Sequence, residues 1–105
     1  MAATNALAFG DDLTFRLLHR SGGVGGAWVI GLLAGHRFQA LVFPEHAENP
    51  EYELGLSRIS KLWVQRVSDG VVFNFDRGLD LSARDARAQE VVDFLTAELA
   101  RRVFA

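Results

Sequence analysis

Ala27-Trp28-Val29-Ile30-Gly31-Leu32-Leu33-Ala34-Gly35-His36-Arg37-Phe38-Gln39-Ala40-Leu41-Val42-Phe43 decides the fold. Two apolar runs flank Leu33-Ala34-Gly35, and Gly35 can supply the left-handed residue that closes a three-residue hairpin loop. That register puts Trp28, Ile30, Leu32, Phe38, Ala40 and Val42 on one face, all of them apolar. Val29, Gly31, Arg37, Gln39, Leu41 and Phe43 fall on the other face, which is mixed. A one-residue slip would scramble this separation, so the pattern favours the register.

Downstream, Pro44 to Glu53 holds Glu45, Glu48, Glu51, Glu53 and both prolines, with no Lys or Arg, and reads as a surface loop. Arg58 to Val67 is rich in β-branched and aromatic residues and reads as a strand. Asp69-Gly70 is a hairpin signal, and Val71 to Phe75 is the return strand. A two-residue loop would put Leu62, Val64, Val71, Phe73 and Phe75 on one face. A Ser68-Asp69-Gly70 loop would join Trp63 to Phe73 and Phe75 instead, and the residues leave both open. Asp76 to Leu81 reads as a turn segment around Gly78. Ser82, with Asp85 three residues on, then predicts a helix start by a capping box. From Ala88 the apolar positions Val91, Val92, Leu95, Leu99 and Val103 recur at helical spacing.

Upstream, Leu13 to His19 alternates and reads as a strand, with a short helix capped by Asp11 or Asp12 as the competitor. Ser21 to Gly26 is a flexible glycine-rich connection, and residues 1–12 form a loose N-terminus. The expected fold class is α+β in two layers: an antiparallel β-meander of four to five strands with a C-terminal α-helix packed on one face. Residues 13–105 make one domain. A helix–three-strand–helix arrangement like the double-stranded-RNA-binding domain is disfavoured, because the last helix would begin Ala83-Arg84-Asp85-Ala86-Arg87 rather than with lysines.

The chain has 105 residues and a mass of 11.6 kDa, enough for one domain with its own core. Half of it is hydrophobic and 23% charged, which excludes disorder for the bulk. A net charge of −2 excludes a dominant basic field for nucleic acid. The absence of cysteine removes disulfide, thiolate and iron–sulfur chemistry. No apolar run reaches the ~20 residues a bilayer needs, and no signal-peptide pattern opens the chain; a soluble cytoplasmic protein is expected. Ten Arg against one Lys, with fourteen Ala, reflects a compositional bias rather than a binding signal.

Candidate chemistry is sparse. Gly22 to Gly26 lacks the Gly-Lys-Ser/Thr and following helix of a phosphate loop. His19, His36 and His46 are scattered, read as surface histidines, and suggest no metal site. No serine has a nucleophile-elbow context. No catalytic residue and no cofactor is expected. One polar group stands out: the hairpin would gather Arg58, Lys61, Asp76, Arg77 and Asp80 at one end of the sheet. That is either a pocket for an anion or partner, or a set of ion pairs and turn hydrogen bonds.

Arg58-Ile59-Ser60-Lys61-Leu62 followed by Asn74-Phe75-Asp76-Arg77-Gly78-Leu79-Asp80 resembles the signature of a small uncharacterised bacterial and phage-borne family. Its members carry Gly-Arg-Ile-Ser-Lys-Leu and then Asn/Ala-Tyr-Asp-Arg-Gly-Trp-Asp. This chain departs at Ser57, Phe75 and Leu79, and the likeness runs from Trp28 to Asp80. The resemblance implies no activity, but it implies that Arg58, Lys61, Asp76, Arg77 and Asp80 belong together.

Three functions follow as expectations. The first is a non-catalytic interaction module, a homodimer: a helix from Ala83 to Phe104 would run ~33 Å and overhang its sheet. Leu99, Val103 and Phe104 would then face water, along with some of Val29, Leu41, Phe43 and either Trp63 or Val64 on the uncovered sheet face. The second is weak nucleic-acid or anion binding through Arg58, Lys61 and Arg66 with Trp63 as a stacking surface, disfavoured by the acidic loop nearby. The third is a small hydrolase or transferase using Asp76, Arg77 and Asp80. No membrane partner is expected.

Overall fold

The computed structural model describes residues 13–20 and 26–104. Residues 1–12, expected to be a loose terminus, and the glycine-rich residues 21–25 lie outside the described residues. Six antiparallel strands form one sheet in sequence order: β1 (Thr14–Arg20), β2 (Ala27–Leu33), β3 (His36–Val42), β4 (Ile59–Arg66), β5 (Gly70–Asp76) and β6 (Leu79–Leu81). One helix, α1 (Ala86–Val103), packs on one face against β3, β4 and β5. The architecture is the expected α+β meander with a C-terminal helix, with six strands rather than four or five. Among the described residues, no helix is long and apolar enough to cross a membrane.

The β2–β3 hairpin closes on two residues, not three. Ala34 and Gly35 both take left-handed backbone, at φ 50° and 76°, which is what a two-residue type I′ turn requires. Leu33 therefore pairs with His36, Gly31 with Phe38 and Val29 with Ala40. The expected faces are exchanged along β2. Ala27, Val29, Leu33, Phe38, Ala40 and Val42 are buried under α1. Trp28, Ile30 and Leu32 lie on the open face with Arg37, Gln39 and Leu41. The close approach of strands here depends on Gly31, where a Cβ would sit 2.4 Å from the Thr14 carbonyl oxygen and 2.5 Å from the Phe38 ring.

The second hairpin resolves the other open register. Leu62 pairs with Phe75 and Val64 with Phe73, and all four are buried beneath the helix. Beyond them a bulge inserts Val72, and Val71 is left exposed on the surface. Trp63 pairs with Asn74 and lies on the open face. The Asp76–Leu81 segment is more than a turn: β6 returns along β5 after Arg77 and Gly78. The Leu13–His19 segment is strand, not helix.

The helix starts three residues later than the Ser82 capping box predicts. Arg84 N–H bonds to the Val72 carbonyl at 3.0 Å, which keeps residues 82–85 along the sheet. Asp85 is the N-cap, accepting from Ala88 N–H at 2.9 Å. With 18 residues the helix is ~27 Å long, so the expected overhang does not occur. Leu99 is fully buried, as are Val91 and Leu95. Val103 and Phe104 are half-buried against the core. The sequence reading of Leu99, Val103 and Phe104 as a water-facing set is corrected accordingly, because the shorter helix ends over the sheet.

Gly31→Ala is expected to lower the melting temperature by roughly 5–20 °C, the effect of ~1–3 kcal/mol of overpacking in a domain of this size. Thermal unfolding followed by circular dichroism measures it.

Candidate functional site

Two polar clusters flank the core, one at each end of β4. At the helix end, Arg66 makes a bidentate pair with Asp85, both contacts at 2.7 Å, and reaches Asp69 at 3.1 Å. Its Nε donates to His36 Nε2 at 3.0 Å, while His36 Nδ1 lies 2.7 Å from the Ala34 carbonyl oxygen. These partners assign the proton of His36 to Nδ1. His36 is 2% exposed, a buried residue rather than the expected surface histidine. Hydrogen bonds from Arg66, then from Ala88 N–H, hold the Asp85 carboxyl well below the usual carboxylate range. The bonds to Asp85 and Asp69 raise the Arg66 guanidinium further above its ordinary value. Arg66 thus fastens the start of the helix to the sheet.

At the other end, the segment 44–58 after β3 folds around Glu53. This carboxylate is 6% exposed. Its Oε1 accepts from Ala47 N–H at 2.7 Å. Its Oε2 accepts from Arg58 N–H at 3.0 Å and lies 2.7 Å from His46 Nδ1. Burial pushes the Glu53 carboxyl up, but the bonds from Ala47, His46 and Arg58 together outweigh it and leave the group below its usual value. Sequence reasoning took Glu53 for one more solvated acid of the loop. Its partners are mainly backbone groups, which leave no trace in a residue pattern.

Beside Glu53 opens a cavity of about 310 Å³, lined by Phe43, Tyr52, Glu53, Arg58, Ser60 and Arg77 among others. A bulge where Leu41 pairs with Lys61 and Val42 with Ile59 leaves Ser60 as the extra residue of β4. Arg77 N–H bonds to the Ser60 carbonyl at 2.9 Å. The Ser60 hydroxyl is buried and has no hydrogen-bond partner among the described residues. Arg58 and Arg77 both hold left-handed backbone, at φ 64° and 54°, a conformation that strains a residue with a Cβ.

The expected five-residue group is therefore divided. Arg58 and Arg77 share the cavity, with Arg58 Nη1 donating to the Pro44 carbonyl at 2.7 Å. Lys61 and Asp76 pair across β4 and β5 at 3.5 Å on the open face, where Lys61 Nζ also lies 5.7 Å from the Trp28 ring centroid. Asp80 stands apart, its Oδ2 3.4 Å from Asn74 Nδ2. The strand alternation of β4 separates what the linear spacing placed together.

Residues 27–100 match a family described as a domain of unknown function (DUF7678). The chain belongs to this family. No curated protein and no solved structure matches it. The DUF7678 match spans β2 to β6 and most of α1, so the Arg66–Asp85 fastening and the Arg58–Arg77 cavity both fall within it, while β1 lies before it.

Two outcomes test these clusters. Asp76→Ala is expected to move the melting temperature by no more than a few degrees, because the Lys61–Asp76 pair is 33% and 53% exposed and such pairs contribute ~0–1 kcal/mol. Glu53→Gln is expected to be less stable than the parent at pH 7. Because folding lowers the Glu53 pKa from its ordinary 4.5, its ionised form adds stability above pH 4.5 that is lost as the pH falls through the folded value. The gap between the two proteins should accordingly close in acid, as urea titrations across pH 7 to 3 would read.

Proposed function

We propose that this DUF7678 chain is a small non-catalytic interaction module that pairs with a second copy through the open face of its sheet. The observation that carries the reading is the placement of Trp28 and Trp63 on the face that α1 leaves uncovered. Leu32, 51% exposed, and the half-buried Ile30 extend the apolar surface. Arg16, Ile30, Leu32, Arg37, Gln39 and Trp63 border a groove of about 500 Å³ there. Rigid aromatic anchors on a concave, uncovered surface are what interface cores are built from.

Arg37 pairs with Gln65 at one end of the face, and Lys61 pairs with Asp76 at the other. Two sheets stacked with their strands antiparallel would lay the Leu32–Arg37 end of one copy on the Lys61–Asp76 end of the other. Face-to-face packing at ~10 Å then buries both tryptophans of each copy.

A second reading has its own support. Arg16, Arg37 and Lys61 share the open face with both tryptophans, the combination on which single-stranded nucleic acid stacks. The net charge of −2 weighs against it.

Sedimentation at tens of micromolar separates the readings. The expected result is a species of twice 11.6 kDa that reverts to monomer in Trp63→Glu. A monomer at every concentration removes the dimer reading. A low-salt mobility shift of single-stranded DNA, abolished by Trp63→Ala, would establish the second reading in its place.

A further inference from the structure

Three residues other than glycine hold left-handed backbone among those described: Ala34, Arg58 and Arg77. Ala34 belongs to a type I′ turn, which demands it. The other two are both arginines, come from different loops, and line the same cavity. Arginine has no intrinsic liking for this conformation. Its backbone strain, of order 1–3 kcal/mol, persists only where surroundings enforce it, and such residues gather at ligand sites.

The polar groups of the cavity are unevenly satisfied. Two carboxylates border the cavity, Glu45 and Glu53, and Glu53 has both oxygens engaged within its own loop. Arg58 keeps donors beyond the one given to Pro44. Arg77 has no side-chain ion pair or hydrogen bond among the described residues, and the Ser60 hydroxyl lacks a partner as well. Buried hydroxyls are ordinarily hydrogen-bonded. Phe43 and Tyr52 line the same cavity and add aromatic surface to it. A cavity with aromatic walls, a few convergent donors and about 310 Å³ of space has the make-up of a small-molecule site.

We propose that the Arg58–Ser60–Arg77 cavity is a binding site for a small organic oxyanion. The ligand carries a carboxylate or phosphate head for the two guanidinium groups and an apolar or aromatic body for Phe43 and Tyr52. Arginine forks match both heads in geometry. The bulge at Ser60 and the left-handed turns at Arg58 and Arg77 shape the cavity at a cost in strain. This site is separate from the open sheet face, so its occupancy and the dimer reading stand or fall independently.

The test is a titration of the full chain followed by two-dimensional amide NMR, with benzoate, phenyl phosphate and benzyl alcohol as probes. The expected result is saturable shifts at residues lining the cavity with benzoate or phenyl phosphate, at a Kd on the order of 1 mM or tighter, and none with benzyl alcohol. Which anion binds more tightly identifies the head. Arg77→Gly is the discriminating variant. Glycine relieves the positive φ, so the variant should melt no lower than the parent, yet bind the anion roughly 10–100-fold more weakly. Arg77→Lys should keep part of the affinity. Benzyl alcohol binding as well as the anions, no saturation with either anion, or unchanged affinity in Arg77→Gly would each overturn the proposal. So would a clear loss of stability in Arg77→Gly, which would make Arg77 a structural residue.

Discussion

One helix has one face of a six-stranded sheet to cover, and everything else in the structure answers to that constraint. Five inter-strand spacings of ~4.8 Å make a sheet roughly 24 Å wide, whereas a helix with its side chains is only ~10–12 Å across. Placed over β3, β4 and β5, α1 leaves the edges half covered, and Leu17 and Leu79 remain exposed there. A helix in that position must be held in one orientation or it will slide. Val91, Leu95 and Leu99 supply burial without direction. Direction comes from Asp85, which caps the first turn and is gripped by Arg66 from the sheet below.

Much of this was legible in the residues, and the exceptions have physical reasons. The apolar period of residues 88–103 fixes the helix because burial follows 3.6-residue spacing closely. Its start is not legible, because Ser82 and Asp85 are equally good caps locally and Arg66, which grips Asp85, lies far away in sequence. The β2–β3 turn was misjudged by one residue because alanine rarely takes positive φ. Ala34 does so here, and the resulting register puts Val29 and Leu33 on the buried face with Phe38 and Val42. Leu79–Leu81 is too short for alternation to show. The site was half visible: Arg58 and Arg77 were singled out from their spacing, but Glu53 and His46 were not. Besides His46, Glu53 is held by the amides of Ala47 and Arg58, which any residue but proline could provide.

Departures from regular geometry occur at both ends of β4: the Arg66 end carries the Val72 bulge and the left-handed Ala34 turn. The bulge at Ser60, the left-handed Arg58 and Arg77, and the buried Glu53 all lie at the end of β4 away from the Arg66–Asp85 pair. Natural proteins tend to break local rules where they do something besides fold.

A meander that does not close into a barrel has two open edges, each a row of unpaired backbone groups able to recruit another strand. Both edges here are poor templates. β6 offers three residues with Asp80 at its centre, too short and too charged to seed a new strand. β1 is longer, but the irregular register between Leu17 and His19 breaks the even spacing that an added strand would have to match. Among the described residues, neither rim of the sheet therefore offers an added strand a long, regular template.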